Sequence, residues 1–140
     1  MNKKILIFLA ILIVAVSAVS IVSAAETLKV NGVEFNIPDG YSNNESLVEE
    51  ANQGFNFPQG SIGAFSNGTD KVMIVVIKDQ NNQVQDEIDK NPDSQKTING
   101  KTGLLIEDAG DGMQSFMYVD GGKAIAIKTT DASIIDKVIK

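Results

Sequence analysis

Six Asn-Gly or Asp-Gly pairs divide the chain from residue 31 onward into short segments. Asn-Gly stands at positions 31–32, 67–68 and 99–100, and Asp-Gly at 39–40, 111–112 and 120–121. A two-residue hairpin turn requires a positive φ at both central residues, and these pairs tolerate that conformation best. The segments between the pairs are apolar or alternate between apolar and polar residues. The pattern therefore predicts a series of short strands joined by tight turns.

The first predicted hairpin pairs Thr27–Val30 with Val33–Ile37 across Asn31-Gly32. The sequence Pro38-Asp39-Gly40 then breaks the second strand in a turn. Further strands are predicted over Ile62–Ser66, Lys71–Lys78, Lys96–Ile98, Thr102–Glu107, Gln114–Val119 and Lys123–Thr129.

Three helices are predicted between these strands. The first runs to about Asn52, because Ser42 with Glu45, or Ser46 with Glu49, has the spacing of a capping box.

The second predicted helix spans Asn82–Lys90 and is stopped by Pro92. The third begins after Asp131 as its N-cap and runs over Ala132–Ile139. Its apolar side chains lie on one face, at Ile134, Ile135, Val138 and Ile139.

The longest apolar run beyond the N-terminus is Val72–Ile77, which is continuous rather than alternating. Such a run indicates a strand that is covered on both faces, and Ala124–Ile127 has the same character. An open sheet edge would make the first run an aggregation hazard, so we expect it in the interior of a sheet. The fold class is therefore predicted to be α+β, with a single mainly antiparallel sheet of about 6–8 short strands and two or three flanking helices.

The N-terminus has the pattern of an export signal. Lys3 and Lys4 precede an unbroken apolar run, and small residues follow up to Ala24-Ala25. We predict a signal peptide over residues 1–24, cut after Ala24 or, as second choice, after Ala25. The competing interpretation is an uncleaved anchor, since Ile5–Val22 is only just long enough to span a bilayer. Residues 25–140 then form a single α+β domain that is secreted or at the cell surface, with membrane contact only through a retained N-terminal segment.

The composition of this domain excludes several classes of function. The chain contains no His, Cys or Arg, and beyond Lys3 and Lys4 it has ten lysines against 18 acidic residues. The acidic balance disfavours nucleic acid as a partner. Without His and Cys, the common nucleophile–base pairs and zinc sites are excluded. We therefore expect that the domain is not an enzyme and that it binds no cofactor.

Two features remain as candidates for chemistry. Ser61, in Gly60-Ser61-Ile62-Gly63, lacks the glycine spacing of a nucleophile elbow, but a Ser–Lys pair stays open as an alternative to a turn entering a strand. Glu107, Asp108 and Asp111 could supply oxygens to Ca²⁺, although without EF-hand spacing, and a hairpin loop with solvated carboxylates is the preferred interpretation.

Four further residues are candidates for modification or contact. Asn44 and Asn67 begin Asn-x-Ser/Thr sequons, which are glycosylation acceptors only if the domain is exported. Phe55 and Phe57 lie in an irregular, glycine-flanked segment. They either pack under the sheet, which is preferred, or form an exposed contact surface.

The segment Phe35-Asn36-Ile37-Pro38-Asp39-Gly40-Tyr41 resembles the opening strand and turn, Phe-x-Ile-Pro-x-Gly-Trp/Tyr, of the PsbP/Mog1/DcrB-like α/β group. The chain as a whole is similar to small exported proteins of unknown function from methanogenic archaea. The resemblance covers roughly Val30 to Ile139. It implies an antiparallel sheet with flanking helices and a non-enzymatic accessory or binding role, and no catalytic residue carries over from it.

The leading hypothesis is thus an exported, non-catalytic binding or accessory module of the cell envelope, with an envelope protein or glycan as its partner. One alternative is a small hydrolase that uses carboxylates or a Ser–Lys pair. Another is a Ca²⁺-stabilised structural protein.

Overall fold

A computed structural model describes residues 26–53, 58, 60–110 and 112–140 of the chain. The predicted signal segment and Phe55, Phe57 and Asp111 lie outside the described residues. The predicted α+β class is confirmed: a seven-stranded antiparallel sheet is accompanied by a two-stranded sheet and by helices. In the described part of the chain, no helix has the length and apolar character needed to cross a membrane.

The elements follow the turn pattern of the sequence. In chain order they are β1 (Glu26–Val30), β2 (Val33–Ile37), β3 (Ser42–Asn43), α1 (Glu45–Gln53), β4 (Ile62–Ser66), β5 (Lys71–Ile77), α2 (Asn81–Lys90), β6 (Gln95–Ile98), β7 (Lys101–Ile106), β8 (Gln114–Asp120), β9 (Lys123–Thr129) and α3 (Ile135–Val138). Short 3₁₀ turns occupy Lys78–Gln80, Pro92–Ser94 and Ala132–Ile134.

The large sheet has the strand order β3-β4-β5-β9-β8-β7-β6, while β1 and β2 form the separate hairpin. Strand β5 lies between β4 and β9, with Val75 opposite Ile62 on one side and Ala126 on the other. The prediction that Val72–Ile77 is an interior strand is confirmed. Its continuous apolar character follows from this position, because Val72 to Val76 are all buried.

Two separate cores cover the two faces of the sheet. The helix-side core packs α1 and α2 on one face through Leu47, Ala51, Val84 and Ile88. The hairpin-side core packs the β1–β2 hairpin and the C-terminal residues on the other face, through Val30, Phe35, Ile37, Ile134, Ile135, Val138 and Ile139. Successive side chains of a strand point to opposite faces, so the central strands supply apolar residues to both cores.

The turns are built as the sequence predicts at two of the three Asn-Gly pairs. Asn31-Gly32 and Asn99-Gly100 have positive φ at both residues. Asn67-Gly68 is different and corrects the two-residue prediction: four residues connect β4 to β5, and the Asn67 side chain accepts hydrogen bonds from the backbone N–H groups of Thr69 and Asp70. This side chain reinforces the backbone hydrogen bond that the Asn67 N–H donates to the Asp70 carbonyl at 3.1 Å.

The N-cap of α1 also differs from the prediction. Asn44 is the cap, since its Oδ1 accepts from the Leu47 N–H at 3.3 Å. Ser42 instead belongs to β3, and Ser46 is already inside the helix. The capping-box spacing therefore located the helix correctly but assigned its cap to the wrong residue, because Asn44 stands directly before the first helical residue and satisfies an orphan N–H there.

The C-terminal residues pack on the sheet as predicted. Asp131 caps the segment by accepting from the Ser133 N–H at 3.1 Å. The predicted helix is realised as a 3₁₀ turn followed by the single turn α3. Ile135 and Val138 are fully buried, and Ile139 forms an isolated bridge with Phe35 of β2.

Burial of the two tyrosines predicts a loss of stability in alkali. Burial, reinforced by the nearby Asp70 and Asp131 carboxylates, raises the pKa of Tyr41 to about 12. Burial, and secondarily Asp120, also raises the pKa of Tyr118. In an unfolded chain, where nothing shields the phenol from water, tyrosine ionises near a pH of about 10.

As pH rises above that value, the unfolded state loses protons that the folded state keeps, so the free energy of unfolding falls. Urea unfolding between about pH 9 and pH 11 should show this decline, by up to about 1.4 kcal/mol per pH unit for each tyrosine. Tyr41→Phe and Tyr118→Phe should each flatten the slope. If the free energy of unfolding declined with pH as steeply in the double variant, groups other than these tyrosines would cause the loss of stability in alkali.

Candidate functional site

At one end of the large sheet lie the tip of the β1–β2 hairpin, the β8–β9 turn and two further connections between elements. We call it the turn end and define it by Asn31-Gly32, Asp120–Lys123, residues 58 and 60–61, and Ile77–Asp79. The Asn31 N–H donates to the Gly60 carbonyl at 2.8 Å, and its Nδ2 donates to the Val76 carbonyl at 3.1 Å. Lys123 Nζ donates to the Asn31 carbonyl at 3.0 Å. These bonds hold the hairpin tip in place against the large sheet.

The turn end is opposite the point where the N-terminal segment joins the domain. Glu26 is the first residue of β1 and pairs with Ile37, whereas Val30 leads into the tip. A strand advances about 3.3 Å per residue, so the five residues of β1 separate the two ends by roughly 13 Å. The turn end is therefore the far end of the domain from its N-terminal attachment.

A cavity of about 180 Å³ lies on one side of the hairpin tip, lined by Asn31, Pro58, Ser61, Ile77, Lys78 and Asp79. We call it the Ser61 cavity. Its main chain is fixed, because the Ser61 N–H donates to the Pro58 carbonyl at 3.1 Å and its carbonyl accepts from the Val76 N–H at 2.9 Å.

The Ser61 hydroxyl is the unusual group of this cavity. The residue is 1% exposed, and its Oγ has no hydrogen-bond partner within the described residues. A buried polar group left without a partner destabilises a fold by about 1–3 kcal/mol. The residue therefore retains hydrogen-bonding capacity that the surrounding protein does not use.

A second cavity, of about 370 Å³, lies on the other side of the tip. Its lining residues are Gly32, Val33, Glu34, Asp120, Gly121, Lys123 and Lys140. Its carboxylates are paired: Lys140 Nζ lies 2.6 Å from Glu34 Oε2, and Lys101 Nζ lies 2.9 Å from Asp120 Oδ2. The hydrogen bond and the charge of Lys140 hold the pKa of the Glu34 carboxyl below its ordinary value.

Charge is distributed unevenly over the domain. Helices α1 and α2 together carry six carboxylates and a single lysine. The turn end and its ion pairs bring together four lysines, at 78, 101, 123 and 140, with three carboxylates, at 34, 79 and 120. In a strongly acidic domain, this end is the region where positive charge balances negative charge.

Among the sequence-predicted candidates, the structure brings Ser61 and a lysine, Lys78, to the same cavity. The two described residues of the Ca²⁺ candidate, Glu107 and Asp108, are exposed in the β7–β8 loop. Within the described residues, no group of three or more metal-ligating side chains is assembled. With Asp111 outside the described residues, the Ca²⁺ hypothesis stays a prediction.

The two sequons differ in accessibility. Asn44 is 3% exposed, and both ends of its side chain are used: Oδ1 caps α1, and Nδ2 donates to Ser66 Oγ at 3.2 Å. Asn67 is exposed in the β4–β5 turn. The folded domain therefore presents Asn67, and not Asn44, as an accessible acceptor.

Lys78 and Asp79 are the cavity residues that sequence reasoning missed. They follow the apolar run of β5 directly, and a Lys-Asp pair after a strand is an ordinary feature of a solvent-exposed turn. This turn lines a cavity only because Asn31, Pro58 and Ser61 lie beside it. No sequence pattern connects these three separated segments.

No protein-family model, curated protein or solved structure matches this chain. The resemblance to the PsbP/Mog1/DcrB-like group therefore rests on the residues of its short motif and on the order of the predicted elements.

Proposed function

We propose that the chain is an exported, non-catalytic binding module of the cell envelope and that it binds its ligand at the turn end. The observation that carries this proposal is the Ser61 cavity: one residue of its lining, Ser61, is buried and has a hydroxyl with no hydrogen-bond partner in the described part of the protein. The hydroxyl is shielded from solvent, so a ligand in the cavity would supply the missing partner after the Ser61 side chain turns toward it.

The position of the turn end supports a role in the envelope. If the predicted N-terminal segment directs export or anchors the chain, the domain joins it at Glu26. The turn end then faces away from that attachment and is free to meet a soluble ligand or another envelope component.

A hydrolase that uses a Ser–Lys pair is the second candidate, because Ser61 and Lys78 line one cavity. A nucleophile must lie within hydrogen-bonding reach of its base. Ser61 Oγ makes no hydrogen bond to any described residue, Lys78 included. This geometry favours binding over nucleophilic attack.

Site-specific photo-crosslinking tests the proposed binding site. A photoreactive residue is placed at Asp79, which lines the Ser61 cavity, or at Asp86, a matched exposed carboxylate on α2. After irradiation of intact cells that export the full chain, we expect a discrete crosslinked envelope component from position 79 and not from position 86. Equal labelling from both positions, or none from position 79, would contradict the proposed site.

The non-catalytic part of the proposal is tested separately. The purified chain is incubated with ester, glycan, peptide and phosphoester substrates, with and without divalent metals. We expect no turnover above the rate of a Ser61→Ala variant. Turnover that this substitution abolishes would establish the hydrolase instead.

A further inference from the structure

We infer that Asn67, and not Asn44, carries an N-linked glycan on the exported chain. The inference goes beyond ligand binding at the turn end, and it rests on one part of the proposed function, namely that the chain is exported. It depends on how the fold uses these two amide side chains and on the turn that presents Asn67.

Asn67 begins a complete acceptor sequence on an exposed turn. The segment Asn67-Gly68-Thr69 satisfies the Asn-x-Ser/Thr pattern, and all three residues are exposed. Within the described residues, both hydrogen bonds of the Asn67 side chain use Oδ1, which accepts from the Thr69 N–H at 2.9 Å and from the Asp70 N–H at 2.6 Å. The Nδ2 atom, to which an N-linked sugar is attached, is therefore available for modification.

Backbone and side-chain hydrogen bonds hold this turn in place. The Asn67 N–H donates to the Asp70 carbonyl at 3.1 Å, and Asp70 Oδ1 accepts from Thr130 Oγ1 at 2.9 Å. The Thr130 hydroxyl oxygen in turn accepts from the Lys71 N–H at 3.0 Å, which ties the turn to the residue that follows β9. None of these bonds uses Asn67 Nδ2, so a glycan on that atom leaves the turn and its anchor intact.

The modification is the transfer of a sugar from a lipid phosphate, the class of donor that membrane-bound glycan transferases use. A bond forms between Asn67 Nδ2 and the anomeric carbon of the sugar, and the bond from that carbon to a phosphate oxygen breaks. The lipid phosphate leaves with the electron pair of the broken bond, Nδ2 gives up one proton to a base, and nothing is oxidised or reduced. The amide oxygen is unchanged, so Asn67 Oδ1 keeps both hydrogen bonds of the turn.

Asn44 begins the other sequon but has the opposite environment. The residue is 3% exposed, its Oδ1 accepts from the Leu47 N–H as the cap of α1, and its Nδ2 donates to Ser66 Oγ at 3.2 Å. Protein interiors are close-packed, so a sugar on this Nδ2 cannot be accommodated where the side chain lies. A chain modified at Asn44 before folding could not bury this residue as the fold requires.

A glycan on Asn67 leaves the turn end uncovered. Asn67 follows the last residue of β4, whereas Ser61 precedes the first. The five residues of β4 separate these two positions by roughly 13 Å, at about 3.3 Å per residue. The glycan is therefore attached at the opposite end of the strand from the Ser61 cavity and is compatible with a ligand there.

Peptide mapping of the full chain by mass spectrometry tests the inference. The chain is produced with its N-terminal segment in cells that glycosylate an exported reporter protein with an exposed Asn-x-Thr sequon. In the exported fraction we expect a glycan on the peptide that contains Asn67 and the unmodified mass for the peptide that contains Asn44. An exported chain without a glycan, or with a glycan on Asn44, would overturn the inference.

Matched substitutions assign the glycan without disturbing the turn. Thr69→Ala removes the sequon hydroxyl but keeps the N–H that donates to Asn67 Oδ1, so the glycan should be lost completely. Thr69→Ser preserves a sequon and should retain the glycan. Ser46→Ala removes the other sequon at an exposed position and should leave the glycan unchanged. A glycan that persists in Thr69→Ala, or that disappears in Ser46→Ala, would contradict its assignment to Asn67.

The two proposals can fail separately. If the chain is exported without a glycan but position 79 crosslinks an envelope component, the glycan inference is wrong and the binding module stands. If Asn67 carries a glycan but position 79 captures nothing, the turn end is not a binding site and the glycan inference stands. A chain retained inside the cell would overturn both proposals, because both require export.

Discussion

A chain that ends at Thr130 is expected to be unfolded at room temperature. The truncation removes four buried apolar side chains of the hairpin-side core, at Ile134, Ile135, Val138 and Ile139. Each such side chain contributes roughly 1.5–3 kcal/mol on burial. Their sum is comparable with the whole free energy of unfolding of a typical domain, about 5–15 kcal/mol.

The truncation also exposes residues that remain in the chain. Phe35 of β2 loses its bridge to Ile139, and the packed surface of the β1–β2 hairpin loses part of its cover. Circular dichroism and urea unfolding of the truncated chain should therefore show no cooperative transition.

The matched control for this truncation removes Lys140 alone. That residue is exposed and makes a surface ion pair with Glu34, and such pairs contribute little to stability. The control should therefore unfold like the complete chain. A truncated chain that keeps a cooperative transition would show that the C-terminal residues are not part of the core.

The substitution Gly103→Ala is expected to disrupt pairing between β7 and β8. Gly103 lies opposite Tyr118, and a Cβ added there would lie 2.1 Å from the Met117 carbonyl oxygen and 2.9 Å from its carbonyl carbon. Backbone atoms in a sheet cannot move aside without separating the strands. The loss of stability should therefore reach or exceed the upper part of the range for overpacked cores, about 1–3 kcal/mol.

Two controls separate this backbone clash from other effects. Thr102→Ala changes the exposed neighbour of Gly103 and removes its surface hydrogen bond to Thr97 Oγ1, so it should cost less than about 1 kcal/mol. Gly63→Ala would bring a Cβ to 2.6 Å from Val30 Cγ2 and 2.7 Å from Leu28 Cδ2, both of which belong to side chains that can rotate. Urea unfolding should rank the loss as Gly103→Ala, then Gly63→Ala, then Thr102→Ala. If Gly103→Ala lost no more stability than Thr102→Ala, β7 and β8 would not lie as close together at Gly103 as the structure places them.

Many features of the fold could be predicted because they depend on neighbouring residues. Asn31-Gly32 and Asn99-Gly100 adopt the positive φ that these residue types tolerate, so the sequence locates these turns. The run Val72–Ile77 has no polar face, so its position inside the sheet follows from composition. Pro92 has no backbone N–H to donate in a helix, and α2 ends two residues before it, at Lys90.

The candidate site was predictable only in part. Ser61 stood out through its flanking glycines, but its cavity needs Asn31 from the hairpin tip and Lys78-Asp79 from the end of β5. These segments meet because β4 pairs with β5 and because the hairpin packs across the sheet. Contacts between distant segments depend on which apolar faces pack together, and no local sequence pattern predicts which faces these are.

Local sequence accounts for where most strands and turns lie, because backbone conformation depends on the residue and its neighbours. The strand order and the environment of each side chain depend on the tertiary structure. Lys71 and Lys128 show the difference: a lysine near a strand end is expected to be exposed, yet these two are 9% and 2% exposed. In β5 and β9 they stand two residues from Met73 and Ala126, on the helix-side face of the sheet. A residue's own identity could not show this, because burial depends on what the rest of the chain places over that face.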